Sequence, residues 1–92
     1  MRDGLARKDL NDGLYYLKRN AFDSALIYFR DAVVKYPGTS AAHEAMIKMV
    51  EVYKRLKWME DAGDVCRQLR STHGADADVI KACLGIRADT TG

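Results

Sequence analysis

Residues 36–42 read YPGTSAA and hold the only proline in a chain of 92 residues. Three readings compete for this stretch: a phosphate-cradling loop, a boundary between domains, or a joint inside one fold. A phosphate loop follows a strand and carries more glycine with a Lys-Ser or Lys-Thr pair. Here the flanks are helical instead. Upstream, apolar residues fall at Phe22, Ala25, Leu26, Phe29, Ala32, Val33 and Tyr36, the three- and four-residue steps of one helix face. Downstream, Ala42, Ala45, Met46, Met49, Val50, Tyr53 and Leu56 repeat that spacing. Pro37 therefore ends one helix, Gly38 turns the chain, and Thr39 or Ser40 caps the next. The stretch reads as a joint within a fold.

The same reading extends to both ends. Leu5, Leu10, Leu14 and Leu17 form a stripe beside Tyr16, and Met59, Ala62, Val65, Cys66 and Leu69 form another. Asn20 is suited to the left-handed turn that closes a helix. Thr72-His73-Gly74 closes the fourth helix, and Asp76 caps a short last one reaching about Arg87. Lys18, Arg19, Lys35, Lys54, Arg55 and Arg70 lie near C-terminal ends, and Asp23, Glu60 and Asp61 near N-terminal ends, as helix dipoles favour. The fold class is all-α: four helices and a stub, with connections short enough to make neighbours antiparallel.

Composition narrows the function. With 48% hydrophobic and 30% charged residues, the chain is a folded single domain. A net charge of +2 with interspersed signs gives no concentrated basic face for nucleic acid. No apolar run approaches the ~20 residues of a membrane span, and no signal peptide follows Met1. Cys66, His73 and Cys83 lack paired metal-ligand spacing, so no metal and no cofactor is expected. His43 and His73 have no nucleophile or carboxylate constellation around them, so no enzyme activity is expected either.

A repeat lies in the spacing. Tyr16 and Tyr53 are 37 residues apart, as are Phe22 and Met59, Ala25 and Ala62, Ala32 and Leu69, and Pro37 and Gly74. One helix-turn-helix unit is written twice and a third begun. Gly13, Tyr16, Ala25, Phe29, Ala32 and Pro37 stand in the order of the tetratricopeptide pattern, which the chain resembles. Gly13 would permit close approach of two helices opposite Ala25, with Tyr16 and Phe29 filling the space beside it. The second copy keeps Tyr53 and Ala62 but has Val50, Cys66, Leu69 and Gly74 elsewhere, and Asp9 and Asp12 replace apolar residues in the first. The expected division of the single domain is repeat one at about 3–37, repeat two at about 38–74 and a capping helix at about 76–87. So few repeats are marginal alone, and an open end could associate with a second copy into a homodimer.

The segments RDGLARKDL, YYLKRNAF and VVKYPGTSAAHEAMIKMVEVYKRL narrow this further. In that order they resemble the C-terminal repeats of the BamD-type lipoproteins of outer-membrane β-barrel assembly, from about Arg2 to Arg70. YPGT before an alanine-rich helix start is shared with CpoB-like envelope adaptors, the looser resemblance. The BamD-type resemblance implies a periplasmic scaffold tied to the outer membrane through an N-terminal lipidated cysteine that is absent from these residues. It implies protein partners, a POTRA domain of the barrel-forming subunit among them. Many relatives carry an arginine in the middle of the corresponding second helix. Here that stretch reads Tyr28-Phe29-Arg30, so a charged contact there would be displaced or lost.

Candidate protein-binding residues follow. Leu10, Leu14 and Leu17 either face a partner on the concave side or pack against a preceding repeat or the second helix, with Lys18 beside them. In the third helix Glu44, Lys48, Glu51, Lys54 and Arg55 share a face, with Glu44–Lys48 and Glu51–Arg55 at i,i+4 spacing. Either it is a solvated face, or Lys54, Arg55 and Lys57 attract an acidic surface. Ile27, Tyr28 and Val34 lie off the main stripe of the second helix, and Tyr28 and Trp58 are candidate interface aromatics. Cys66 and Cys83 are either small buried hydrophobes or, in an oxidising periplasm, a possible disulfide stapling the last helix to the fourth.

Overall fold

The computed structural model describes residues 2–86. They form α1 (Arg2–Lys18), α2 (Phe22–Lys35), α3 (Ser40–Leu56), α4 (Met59–His73) and α5 (Ala77–Ala82), with no strand among the described residues. The period is visible in the element starts. Phe22 and Met59 open α2 and α4, and Ser40 and Ala77 open α3 and α5, each pair 37 residues apart. The fold is an all-α, tetratricopeptide-like helical repeat.

Each turn has a local cause. Asn20 adopts φ 60°, and the Ala21 amide donates to the Tyr16 carbonyl at 2.9 Å. Thirty-seven residues on, Lys57 takes φ 63° and the Trp58 amide donates to the Tyr53 carbonyl at 2.8 Å. Asparagine announces such a left-handed turn and lysine does not, so only the first was legible. At the proline joint, Gly38 has φ 85° and Thr39, not Ser40, is the cap. Its Oγ1 accepts from the Ala42 amide at 3.1 Å and donates to the Tyr36 carbonyl at 2.8 Å. Asp76 caps α5, accepting from the Asp78 amide at 2.9 Å. That last helix ends at Ala82, short of the expected reach to about Arg87, and Gly85 then turns the chain at φ 80°; Arg87 lies outside the described residues.

The core runs through Leu10, Phe29, Val50, Val52, Leu69 and Val79, all essentially buried. α3 sits centrally, packed against every other helix. A Cβ on Gly13 would lie against the Phe29 ring, 2.6 Å from Cδ1 and 3.0 Å from Cζ. The group that needs this glycine is therefore the aromatic ring and not Ala25. Cys66 and Cys83 are both buried and joined as a disulfide, with Cα atoms 5.9 Å apart, so α5 is tied to α4. No described helix is long and apolar enough to cross a membrane.

Burial changes systematically along the repeat. Leu10, Ile47 and Leu84 occupy the same place in successive units. They are 1% exposed, half-buried and 63% exposed. α1 is covered by α3, α3 in part by α5, and α5 by nothing among the described residues.

Candidate protein-interaction groove

Two open clefts follow the repeat along one side of the molecule. The first, of 720 Å³, lies between the C-terminal halves of α1 and α3; Leu14, Leu17 and Lys18 form one wall and Lys48 and Arg55 the other. Lys18 and Arg55 are the same position in successive units, as are Asn11 and Lys48. The second cleft, of 520 Å³, uses the next copy of that wall, with Ile47, Lys48, Glu51 and Lys54 facing Asp78 and Lys81 of α5. The groove is thus a repeated architectural feature, and its side chains decide what each copy can do.

Those side chains differ sharply. In the first cleft Lys18, Arg19, Lys48 and Arg55 are joined by Asn11, Asn20, Tyr15 and two leucines, and no carboxylate lines it. Lys48 is 3.4 Å from Glu51, and the Arg19 guanidinium lies 4.0 Å over the Tyr15 ring. Lys18 and Arg55 have no ion-pair partner among the described residues. The second cleft balances Glu44, Glu51 and Asp78 against Lys48, Lys54 and Lys81. Its Lys54 donates to the Ala82 and Leu84 carbonyls at 3.2 and 3.3 Å.

Of the residues singled out in the sequence, Leu14, Leu17, Lys18 and Arg55 come together in the first cleft. Leu10 does not, because it is in the core and out of a partner's reach. Lys54 is engaged by the end of α5, which has carbonyls left over from its own hydrogen bonding. Tyr28 is half-buried and stacked on Tyr16, ring centroids 5.5 Å apart. Arg30 donates to the Tyr53 hydroxyl at 3.3 Å, an internal contact. Trp58 is 47% exposed and stacks on Tyr53 at 6.1 Å, away from the groove and beside Met59, Glu60 and Asp61. The expected Glu44–Lys48 and Glu51–Arg55 pairs are replaced. Glu44 takes Arg7 of α1 at 3.3 Å and Glu51 takes Lys48.

Sequence reasoning passed over Asn11 and Tyr15, and read Arg19, Asn20 and Lys48 only as a helix-end charge, a turn residue and part of a charged helix face. The 37-residue offset applied to Arg55 and Lys48 would have paired them with Lys18 and Asn11 and exposed the groove. A polar cluster also went unread. His43 Nε2 lies 2.9 Å from Asp76 Oδ2, and the His43 and His73 rings are 4.1 Å apart. The Asp78 amide first, and His43 second, hold the Asp76 carboxyl below its usual range. This cluster seats α5 on α3 and α4. No group of His, Cys, Asp or Glu among the described residues could hold a metal ion.

A family model described as YfiO, outer membrane lipoprotein, matches residues 1–69, three quarters of the chain. That span contains the whole first cleft and stops before α5. No curated protein matches the chain, and no solved structure matches it.

Proposed function

The chain belongs to the YfiO family of outer membrane lipoproteins, and on that premise we propose that it is a non-catalytic scaffold for outer-membrane protein assembly. It presents the α1/α3 groove to partner subunits on the periplasmic side of the membrane. The carrying observation is that the family match covers every residue of a groove in which Lys18 and Arg55 have no ion-pair partner among the described residues and Leu14 and Leu17, packed against the core on one side, are only half-buried. Leu14 and Leu17 supply apolar area, and Lys18 and Arg55 supply orientation and encounter rate. The proposed partner is a POTRA domain of the barrel-forming subunit, as the BamD-type resemblance implies.

Pull-down of purified POTRA domains tests this. The chain should retain them, and Leu14→Asp should lose them while keeping its helical circular dichroism. Equal retention by the variant, or none by the wild type, would overturn the reading.

Self-association is the second reading, favoured by one observation. Ile80 on α5 and Leu84 in the turn just after it are 53% and 63% exposed, and nothing among the described residues follows α5 as α3 follows α1. Light scattering across a concentration series tests it: a constant monomer mass would remove it.

A further inference from the structure

We propose that the α1/α3 groove recognises an extended, acidic peptide segment carrying alternating carboxylate and large aliphatic side chains. This rests on the scaffold reading and names the chemistry of its partner. Charge is the first argument. The whole chain carries only +2, yet four cations and no carboxylate line this one groove. The neighbouring cleft repeats only one of these walls, with Lys48, Glu51 and Lys54 standing where Asn11, Leu14 and Leu17 stand in the first, and it balances three cations against three carboxylates, with Lys54 engaged by the end of α5. The excess is therefore a property of the place and not of the composition.

Spacing and hydrogen bonding argue for an extended occupant. Lys48 and Arg55 stand seven residues apart on α3, about 10 Å along the axis, which three to four extended residues span. Asn11 and Asn20 each offer an amide donor and acceptor at the groove. An extended backbone has free N–H and C=O groups to meet them, whereas a helix has consumed its own. Leu14 and Leu17 share a wall with Lys18 and are half-buried, so aliphatic side chains alternating with the carboxylates have apolar surface to meet. Fixed guanidinium geometry at Arg55 suits a carboxylate better than a lysine would.

Fluorescence anisotropy with three labelled nonapeptides tests this. One alternates glutamate with leucine, one replaces glutamate by lysine, and one replaces leucine by serine. The glutamate-leucine peptide should bind at least about tenfold more tightly than either counterpart. Lys18→Glu and Arg55→Glu should each weaken it about tenfold, as loss of a charge-assisted hydrogen bond does. Lys81→Glu, in the second cleft, should leave it unchanged. Equal binding of the glutamate and lysine peptides would overturn the proposal, and so would indifference to both charge reversals. POTRA capture run on the same variants separates the two readings. If Leu14→Asp abolishes capture while the charge reversals change neither capture nor peptide binding, the scaffold stands and the acidic partner falls. If no variant changes capture, both fall.

Discussion

Gly13→Ala and Gly4→Ala make the same chemical change on the same helix and should move stability in opposite directions. Alanine exceeds glycine in helix propensity by about 1 kcal/mol, so propensity alone stabilises both. Gly4 has open space where its Cβ would go; near the helix start it should gain about 0.5 kcal/mol. At Gly13 the new methyl would sit 2.6 Å from Phe29 Cδ1 and 3.0 Å from Cζ, well inside the ~3.5–4.0 Å of a carbon contact. Phe29 is fully buried among Leu10, Ala25, Val50 and other core residues, so its ring cannot swing into solvent. Overpacking of this kind costs about 1–3 kcal/mol, which exceeds the propensity gain at most of that range. Gly13→Ala should therefore be destabilised by up to about 2 kcal/mol, a fall of up to roughly 15 °C in Tm for a domain of this size. Thermal and urea unfolding followed by circular dichroism measure both variants. Phe29→Leu in the Gly13→Ala background completes the cycle. Removing the ring relieves the clash, and the double variant should be more stable than the sum of the single losses by about 1 kcal/mol. A Gly13→Ala protein as stable as Gly4→Ala, or a strictly additive double variant, would refute the packing argument.

The Cys66–Cys83 disulfide closes a span of 17 residues, so reduction or Cys83→Ser should cost about 3 kcal/mol by loop entropy, read as a lower Tm with reductant. Asp76 has a depressed carboxyl, so its contribution is present above the ordinary value of 3.8 and is lost as pH falls through the lower folded one. Asp76→Asn keeps a competent cap and should flatten the acid limb of a urea-midpoint profile below pH 4. Lys54→Met removes two hydrogen bonds to the end of α5 at a cost of about 1 kcal/mol. Hydrogen exchange should show faster opening of α5 with peptide binding at the first cleft unchanged.

The groove was half-legible for a definite reason. Lys18 and Arg55 carry the period of the repeat, so counting along the chain brings them together. Lys54 stands beside Arg55 in sequence and looked equivalent to it. Its fate depends on where the C-terminal carbonyls of α5 fall, which no local pattern encodes. Glu44 likewise had a lysine four residues on, but Arg7, 37 residues away, reaches it first because α1 lies alongside α3. Tyr28 read as an interface aromatic until Tyr16 supplied a ring to stack on.

Helix spans, their order, the 37-residue period and most turns follow from the sequence by itself. They are set by contacts within three or four residues: apolar steps, caps, a proline and a left-handed asparagine. Leu10, Ile47 and Leu84 mark the boundary of that knowledge. The three side chains hold one position in the repeat and are equally apolar in the sequence. Only packing makes the first core, the second intermediate and the third surface, because burial depends on which helices among the described residues lie over each position. The same is true of the cations. Sequence sets their charge, and tertiary neighbours decide which are neutralised within the fold and which are left without an ion-pair partner among the described residues.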